Sequence, residues 1–251
     1  MRFTTSQESH RHSLQTLDAL YAYDDFMESI STVVDLGCGT GDDLMWWATR
    51  TTRDDNPISL DIKCTGVDIK NNISSTTRHA NLVFQNQDFE EIIPTNNGTF
   101  DILWCHDAFQ YCINPIKTLS QWWHMASENS MLILIVPQTT NISQKQLAFT
   151  QSSGCYYHHT LVSLIHQLAV SGWDCKDGFF MKKPNDPWIH AAVYKSQHAP
   201  LDPKTADWHQ LAEMGLLPDS AAHSVYTHNQ LRQQDLVLPW LDKSLNVMGK
   251  Q

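Results

Sequence analysis

The sequence predicts a doubly wound α/β protein: a mostly parallel seven-stranded sheet with an antiparallel last strand, followed by a helical C-terminal tail. Three observations carry that expectation. Short apolar runs alternate with helix-period segments between residues 32 and 136, the pattern of βαβ crossovers. The runs are continuously apolar rather than alternating, as strands covered on both faces should be. The first run breaks into three closely spaced glycines before a helical stretch, the tight turn of a strand-to-helix junction.

In chain order, residues 12–31 carry Leu14, Leu17, Leu20, Tyr21, Met27 and Ile30 at three- and four-residue steps, which predicts an amphipathic helix ahead of the sheet. Thr32–Leu36 is a β-branched strand, and Asp42–Arg53 has helical composition. The alternation continues with strand Cys64–Val67, helix Asn72–His79, strand Leu82–Asn86 and a short helix at Phe89–Ile93. Strand Phe100–Cys105, helix Ile116–Ser127 and strand Met131–Val136 follow, then a polar loop to Gly154 and a helix over Thr160–Ser171. Strands Trp173–Phe180 and Trp188–Lys195 flank the turn-forming Lys182–Pro187 and are predicted to pair antiparallel. One domain is expected over residues 1–196. Residues 197–251, cut by Pro200, Pro203, Pro218 and Pro239, form a helical extension packed on the core or on a partner subunit.

Bulk properties exclude several classes. With 251 residues, 41% hydrophobic content and only 10 Gly and 10 Pro, the chain is neither disordered nor fibrous. A formal net charge of −10 with no basic run beyond pairs such as Lys182-Lys183 disfavours nucleic acid as a partner. No stretch approaches the roughly 18 apolar residues of a membrane span, so no membrane partner is expected. Six cysteines, Cys38, Cys64, Cys105, Cys112, Cys155 and Cys175, lie scattered. They read as reduced, buried thiols in a cytoplasmic protein, where the sequons at Asn72, Asn97 and Asn141 carry no glycan.

The most informative segment is Asp35-Leu36-Gly37-Cys38-Gly39-Thr40-Gly41-Asp42. A dinucleotide fingerprint requires glycine at the sixth position, where a pyrophosphate meets the helix N-terminus, and here that position is Asp42. Two acids, Asp42 and Asp43, would repel a pyrophosphate, but they suit a cofactor that carries ammonium and sulfonium groups. They could equally cap the helix and complement its dipole.

At these residues the sequence resembles the class I S-adenosylmethionine-dependent methyltransferases, over roughly residues 30 to 195. The family's acidic-x-Gly-x-Gly-x-Gly loop is matched by Asp35, Gly37, Gly39 and Gly41, with Cys38 inside it. Asp68, in Gly66-Val67-Asp68-Ile69, stands where the family's second strand ends in an acid that binds both ribose hydroxyls. Gln87-Asp88-Phe89 stands where the family reads adenine, with Asp88 accepting from the amine and Phe89 beside the ring. The resemblance therefore implies S-adenosyl-L-methionine as cofactor, held by Asp35, Gly37, Cys38, Gly39, Gly41, Asp68, Ile69, Asp88, Phe89 and His106. The segment after the fourth strand, His106-Asp107-Ala108-Phe109, lacks the Asn/Asp-Pro-Pro-Tyr/Phe signature of amino-methylating DNA enzymes.

Ligands of such sheets sit beyond the carboxyl ends of the strands, which makes His106 or Asp107 the candidate general base. Tyr111, Tyr156, Tyr157 and His158 are candidates for contact with a small-molecule methyl acceptor. No carboxylate or thiol lies at metal-ligand spacing from the His158-His159 pair, so no metal is expected. Trp46-Trp47 and Trp122-Trp123 could cage a quaternary amine, but each pair lies in an amphipathic helix and is expected to turn one ring into the core. The competing readings are a catalytically silent relative that binds a protein partner, which an intact cofactor pocket disfavours, and a nicotinamide-dependent dehydrogenase, which Asp42 disfavours.

Overall fold

The computed structural model describes residues 13, 16–17, 29–51, 59–70, 72–92, 99–138, 156–157, 159–181 and 188–238. Seven strands form one sheet: β1 Thr32–Leu36, β2 Lys63–Asp68, β3 Leu82–Asn86, β4 Phe100–His106, β5 Ala126–Pro137, β6 Trp173–Met181 and β7 Trp188–Lys195. Their order is β3-β2-β1-β4-β5-β7-β6. The first five run parallel, and β7 lies antiparallel between β5 and β6. The order reverses beside β1, between β1 and β4, which is where ligands of open α/β sheets bind.

Helices cover both faces, and three of the five named below start at a side-chain cap. α1 is Asp42–Ala48, α2 is Pro115–Met125 and α3 is Leu161–Val170. Asn114 accepts from Lys117 N ahead of Pro115, and Thr160 with Ser163 forms a capping box, so both helix starts satisfy otherwise orphaned amides. α4 Trp208–Glu213 and α5 Asp219–His228 follow the last strand.

The core has two parts, one on each face of the sheet. On the first face Val34, Leu103, Cys105, Leu132 and Leu134 meet Leu119 and Trp122 of α2 and Leu164 and Leu168 of α3. Leu211, Leu216, Leu217 and Val225 of the C-terminal region belong to the same cluster, and Cys175 N donates to Leu216 O at 3.0 Å. On the second face Val33, Ile102, Ile133 and Ile135 meet Leu44 and Trp47 of α1, with Leu17 fully buried among them. Of the N-terminal helix expected over 12–31, Ser13, Thr16 and Leu17 are described and are helical.

Four elements differ from the sequence expectation by more than two residues. Residues 72–79 form turns rather than a helix, since Ser74 Oγ takes the local backbone, accepting from Thr76 N at 3.3 Å, and Thr77 donates its hydroxyl to Thr40 O in the glycine loop. Residues 89–92 likewise make a turn. α1 ends at Ala48 instead of Arg53 because Thr49 bonds back to Met45 O, and β5 begins five residues earlier than expected, directly after α2. Trp122 is buried in the core while its neighbour Trp123 is half-buried under Lys195, as expected; Trp46 and Trp47, by contrast, are both buried in the second-face core, with Arg50 stacked over Trp46. The five described cysteines are buried free thiols, and Cys155 lies outside the described residues. Among the described residues no helix is long and apolar enough to cross a membrane.

Candidate functional site

The loop after β1 is fixed before any ligand arrives. Gly37 N and Cys38 N both donate to Val67 O, at 2.8 and 3.1 Å, and Gly41 N donates to Cys38 O at 2.8 Å. Gly37, Gly39 and Gly41 have φ of 90°, 52° and 81°, a region that L side chains rarely enter. At Gly37 a Cβ would also stand 2.3 Å from Ala108 Cβ, so glycine there lets the loop touch the end of β4. Cys38 turns its buried side chain toward Gly66 and offers the site only its backbone.

Asp68 closes β2 against this loop. Its Oδ2 accepts from Gly39 N at 3.0 Å and its Oδ1 from Lys70 N at 2.7 Å. A carboxylate has about four acceptor positions, so a diol can still be bound by both oxygens. Ile69 beside it is 63% exposed, an apolar surface next to the acid. Asp88 accepts from Glu90 N at 2.9 Å with one oxygen, which shows the turn-capping role directly. Phe89 packs edge-on against Trp122 and lies within 3.8 Å of the Gly37 Cβ position.

Asp35 is buried beneath the loop. Desolvation pushes its carboxyl well above the usual range, and the nearby charges of Asp43 and Asp68 push it further. The charges of Asp43 and Asp68, which hold the proton on Asp35, make the surroundings of the loop favourable to cations.

At the carboxyl end of β4, Asp107 has φ 51°, an uncommon conformation for a non-glycine residue that gathers at functional loops. Gln110 holds it, donating from Nε2 to Asp107 Oδ1 at 2.6 Å and to Asp107 O at 3.0 Å. Burial raises the Asp107 carboxyl above its ordinary value, offset in part by His106 and by Gln110. Gln110 O in turn accepts from Tyr156 N and Tyr157 N, which brings the tyrosine segment to the same end of the sheet. Tyr111 and Tyr156 are 42% and 62% exposed, whereas Tyr157 donates its hydroxyl to Ile113 O at 3.2 Å. His158 lies outside the described residues.

His106 meets a residue that sequence reasoning weighed only as a charge at the glycine loop or as a helix cap. Its Nδ1 lies 3.0 Å from Asp43 Oδ2. Asp42 is exposed and accepts from the Thr40 hydroxyl rather than capping the helix, while Asp43 turns inward. Adjacent helical residues point about 100° apart, so one of two neighbouring acids had to face the sheet, and that was the available signal. Among the described residues no group of three or more His, Cys, Asp or Glu side chains is placed to hold a metal ion.

Comparison with known proteins gives the family. A family profile described as a methyltransferase domain matches residues 28–213. No curated protein matches the sequence. Among solved structures, a chain from the complex of the Haloferax volcanii Trm112 methyltransferase activator with its methyltransferase is 16% identical. It has a TM-score of 0.57 over 75% of this chain and 92% of that one. Haemonchus contortus phosphoethanolamine N-methyltransferase 2, in complex with S-adenosyl-L-methionine, gives 14% identity and a TM-score of 0.60 over 73% of this chain and 53% of that one. Burkholderia thailandensis 1,6-didemethyltoxoflavin-N1-methyltransferase gives 13% identity and a TM-score of 0.56 over 76% and 80%. At such identities these likenesses speak for the fold, which is the one the sheet order describes, and the family profile spans most of the chain. The chain belongs to the methyltransferase-domain family and is a class I, Rossmann-like, S-adenosylmethionine-dependent methyltransferase.

Proposed function

We propose that this enzyme, in the cytoplasm, moves the methyl group of S-adenosylmethionine to a small-molecule acceptor by in-line displacement. The observation that carries the reading is the 3.0 Å contact between Gly39 N and Asp68, which juxtaposes a left-handed glycine loop and a strand-end acid. Asp35, Gly37, Cys38, Gly39 and Gly41 would hold the amino-acid end, Asp68 the ribose, and Ile69, Asp88 and Phe89 the adenine. Bound there, the cofactor supplies a methyl carbon already activated by positive sulfur.

The chain's own task is orientation and exclusion of water, worth roughly 7–11 kcal/mol in favourable cases, while a general base adds about 10²–10⁴-fold. His106, at the end of β4, would take the acceptor's proton. Asp107, engaged by Gln110, shapes the loop beside it. Tyr111 and Tyr156 offer exposed rings for the acceptor, with Tyr157 and His158 on the same segment. A small acceptor agrees with the net charge of −10, which repels nucleic acid, and with the acceptors named for two of the similar structures.

The test is to incubate the full chain with S-adenosylmethionine and a panel of low-molecular-weight amines, phenols and carboxylic acids, reading S-adenosylhomocysteine. Turnover above the acceptor-free rate with a panel member is expected. Turnover with RNA or protein alone would contradict the small-molecule assignment.

A further inference from the structure

We propose that Asp43 is the positioning residue for His106, fixing the imidazole by Nδ1 so that the Nε2 lone pair takes the acceptor's proton. The inference rests on the reading of His106 as the base, and it concerns a carboxylate to which the family motif assigns no role. Asp43 is 8% exposed, and its side chain meets Ser13, Trp104 and His106 among the described residues. Ser13 Oγ donates to Oδ1 at 2.7 Å, Trp104 Nε1 donates to Oδ2 at 3.0 Å, and His106 Nδ1 lies 3.0 Å from the same Oδ2. An indole N–H can only donate, so Oδ2 already serves as an acceptor, and in the proposed arrangement Asp43 is ionised and the His106 contact is Nδ1–H donating.

That assignment leaves the basic lone pair on Nε2, and a carboxylate behind the ring stabilises the imidazolium formed on proton uptake. The step balances. The acceptor atom bonds to the methyl carbon, the carbon–sulfur electron pair returns to sulfur, and the acceptor's proton passes to Nε2 and later to solvent. The carboxylate is held from two sides, by the sheet through Trp104 and by the N-terminal segment through Ser13. Its position is therefore fixed before the acceptor binds.

Full-length protein labelled with ¹⁵N-histidine gives the tautomer directly by long-range proton–nitrogen correlation, with His106 identified by its loss in His106→Gln. A protonated Nδ1 and an unprotonated Nε2 are expected in the native protein, and Asp43→Asn should shift His106 toward the Nε2–H form. An Nε2–H tautomer in the native protein overturns the proposal, and so does an unchanged spectrum in Asp43→Asn. The native measurement decides even if that variant does not fold. With an acceptor from the panel, Asp43→Asn should slow turnover at least tenfold and add nothing to His106→Gln, whereas additive losses overturn the coupling. Full turnover in His106→Gln with the expected tautomer would instead sink the base assignment alone.

Discussion

Asp35 shows how one residue ties the fold to its ligand. Burial, then Asp43 and Asp68, hold its carboxyl well above the usual range, so the folded state keeps a proton that the unfolded chain gives up. A raised folded value means stability that is complete at acid pH and lost as pH rises through the folded value. The cofactor-free protein is therefore expected to lose up to about 1.4 kcal/mol per pH unit from Asp35 above pH ~4, until it ionises. Asp107 and Asp174 are shifted in the same direction. Denaturant unfolding between about pH 5 and pH 8 should give a flatter profile for Asp35→Asn, and an unaltered slope would place the linkage elsewhere. Asp68 acts on the ligand instead. Asp68→Ala removes two charge-assisted hydrogen bonds to a ribose, worth about 1.5–3 kcal/mol each, so calorimetry should show S-adenosylmethionine affinity falling about a hundredfold or more. Asp35 and Asp68 were legible in the sequence because their motif positions are local. Asp43 was not, because its meaning depends on His106, 63 residues away.

At the scale of elements, strands were the most legible part. β1, β3 and β7 have the bounds that apolar runs predict, and the antiparallel pairing of β6 with β7 is observed through partners such as Phe180 and Ala191. Two short helices were misjudged where polar residues offered the backbone a turn instead, as at Ser74–Thr77. The N-terminal segment joins the site through side chains that no periodicity reveals. Ser13 reaches Asp43 and Thr16 meets His190. His190 pairs in register with Ile135, and Ile135 with His106, so Ser13 and Thr16 lie beside the carboxyl end of β4. Ser13→Ala is expected to lower stability by about 1 kcal/mol, the net worth of a buried hydrogen bond, read by urea unfolding. No change would mean that the segment docks without this contact.

For the whole molecule, the C-terminal region is part of one core. Leu211, Leu216, Leu217 and Val225 are buried with α2 and α3, at about 1.5–3 kcal/mol each. Their sum is comparable with the roughly 5–15 kcal/mol that holds a domain together. A chain ended after Ser196 should therefore show no cooperative thermal transition by circular dichroism, and a native-like transition would show that the extension packs without contributing. The sequence left open whether this extension covers the core or a partner, since its short amphipathic helices suit either.

The most direct measurement is calorimetric titration of the full chain with S-adenosylmethionine and, separately, with NAD. Micromolar binding of S-adenosylmethionine and none of NAD is the expected result. Binding of NAD, or of neither, would contradict the account of the glycine loop and Asp68 as a sulfonium-cofactor site.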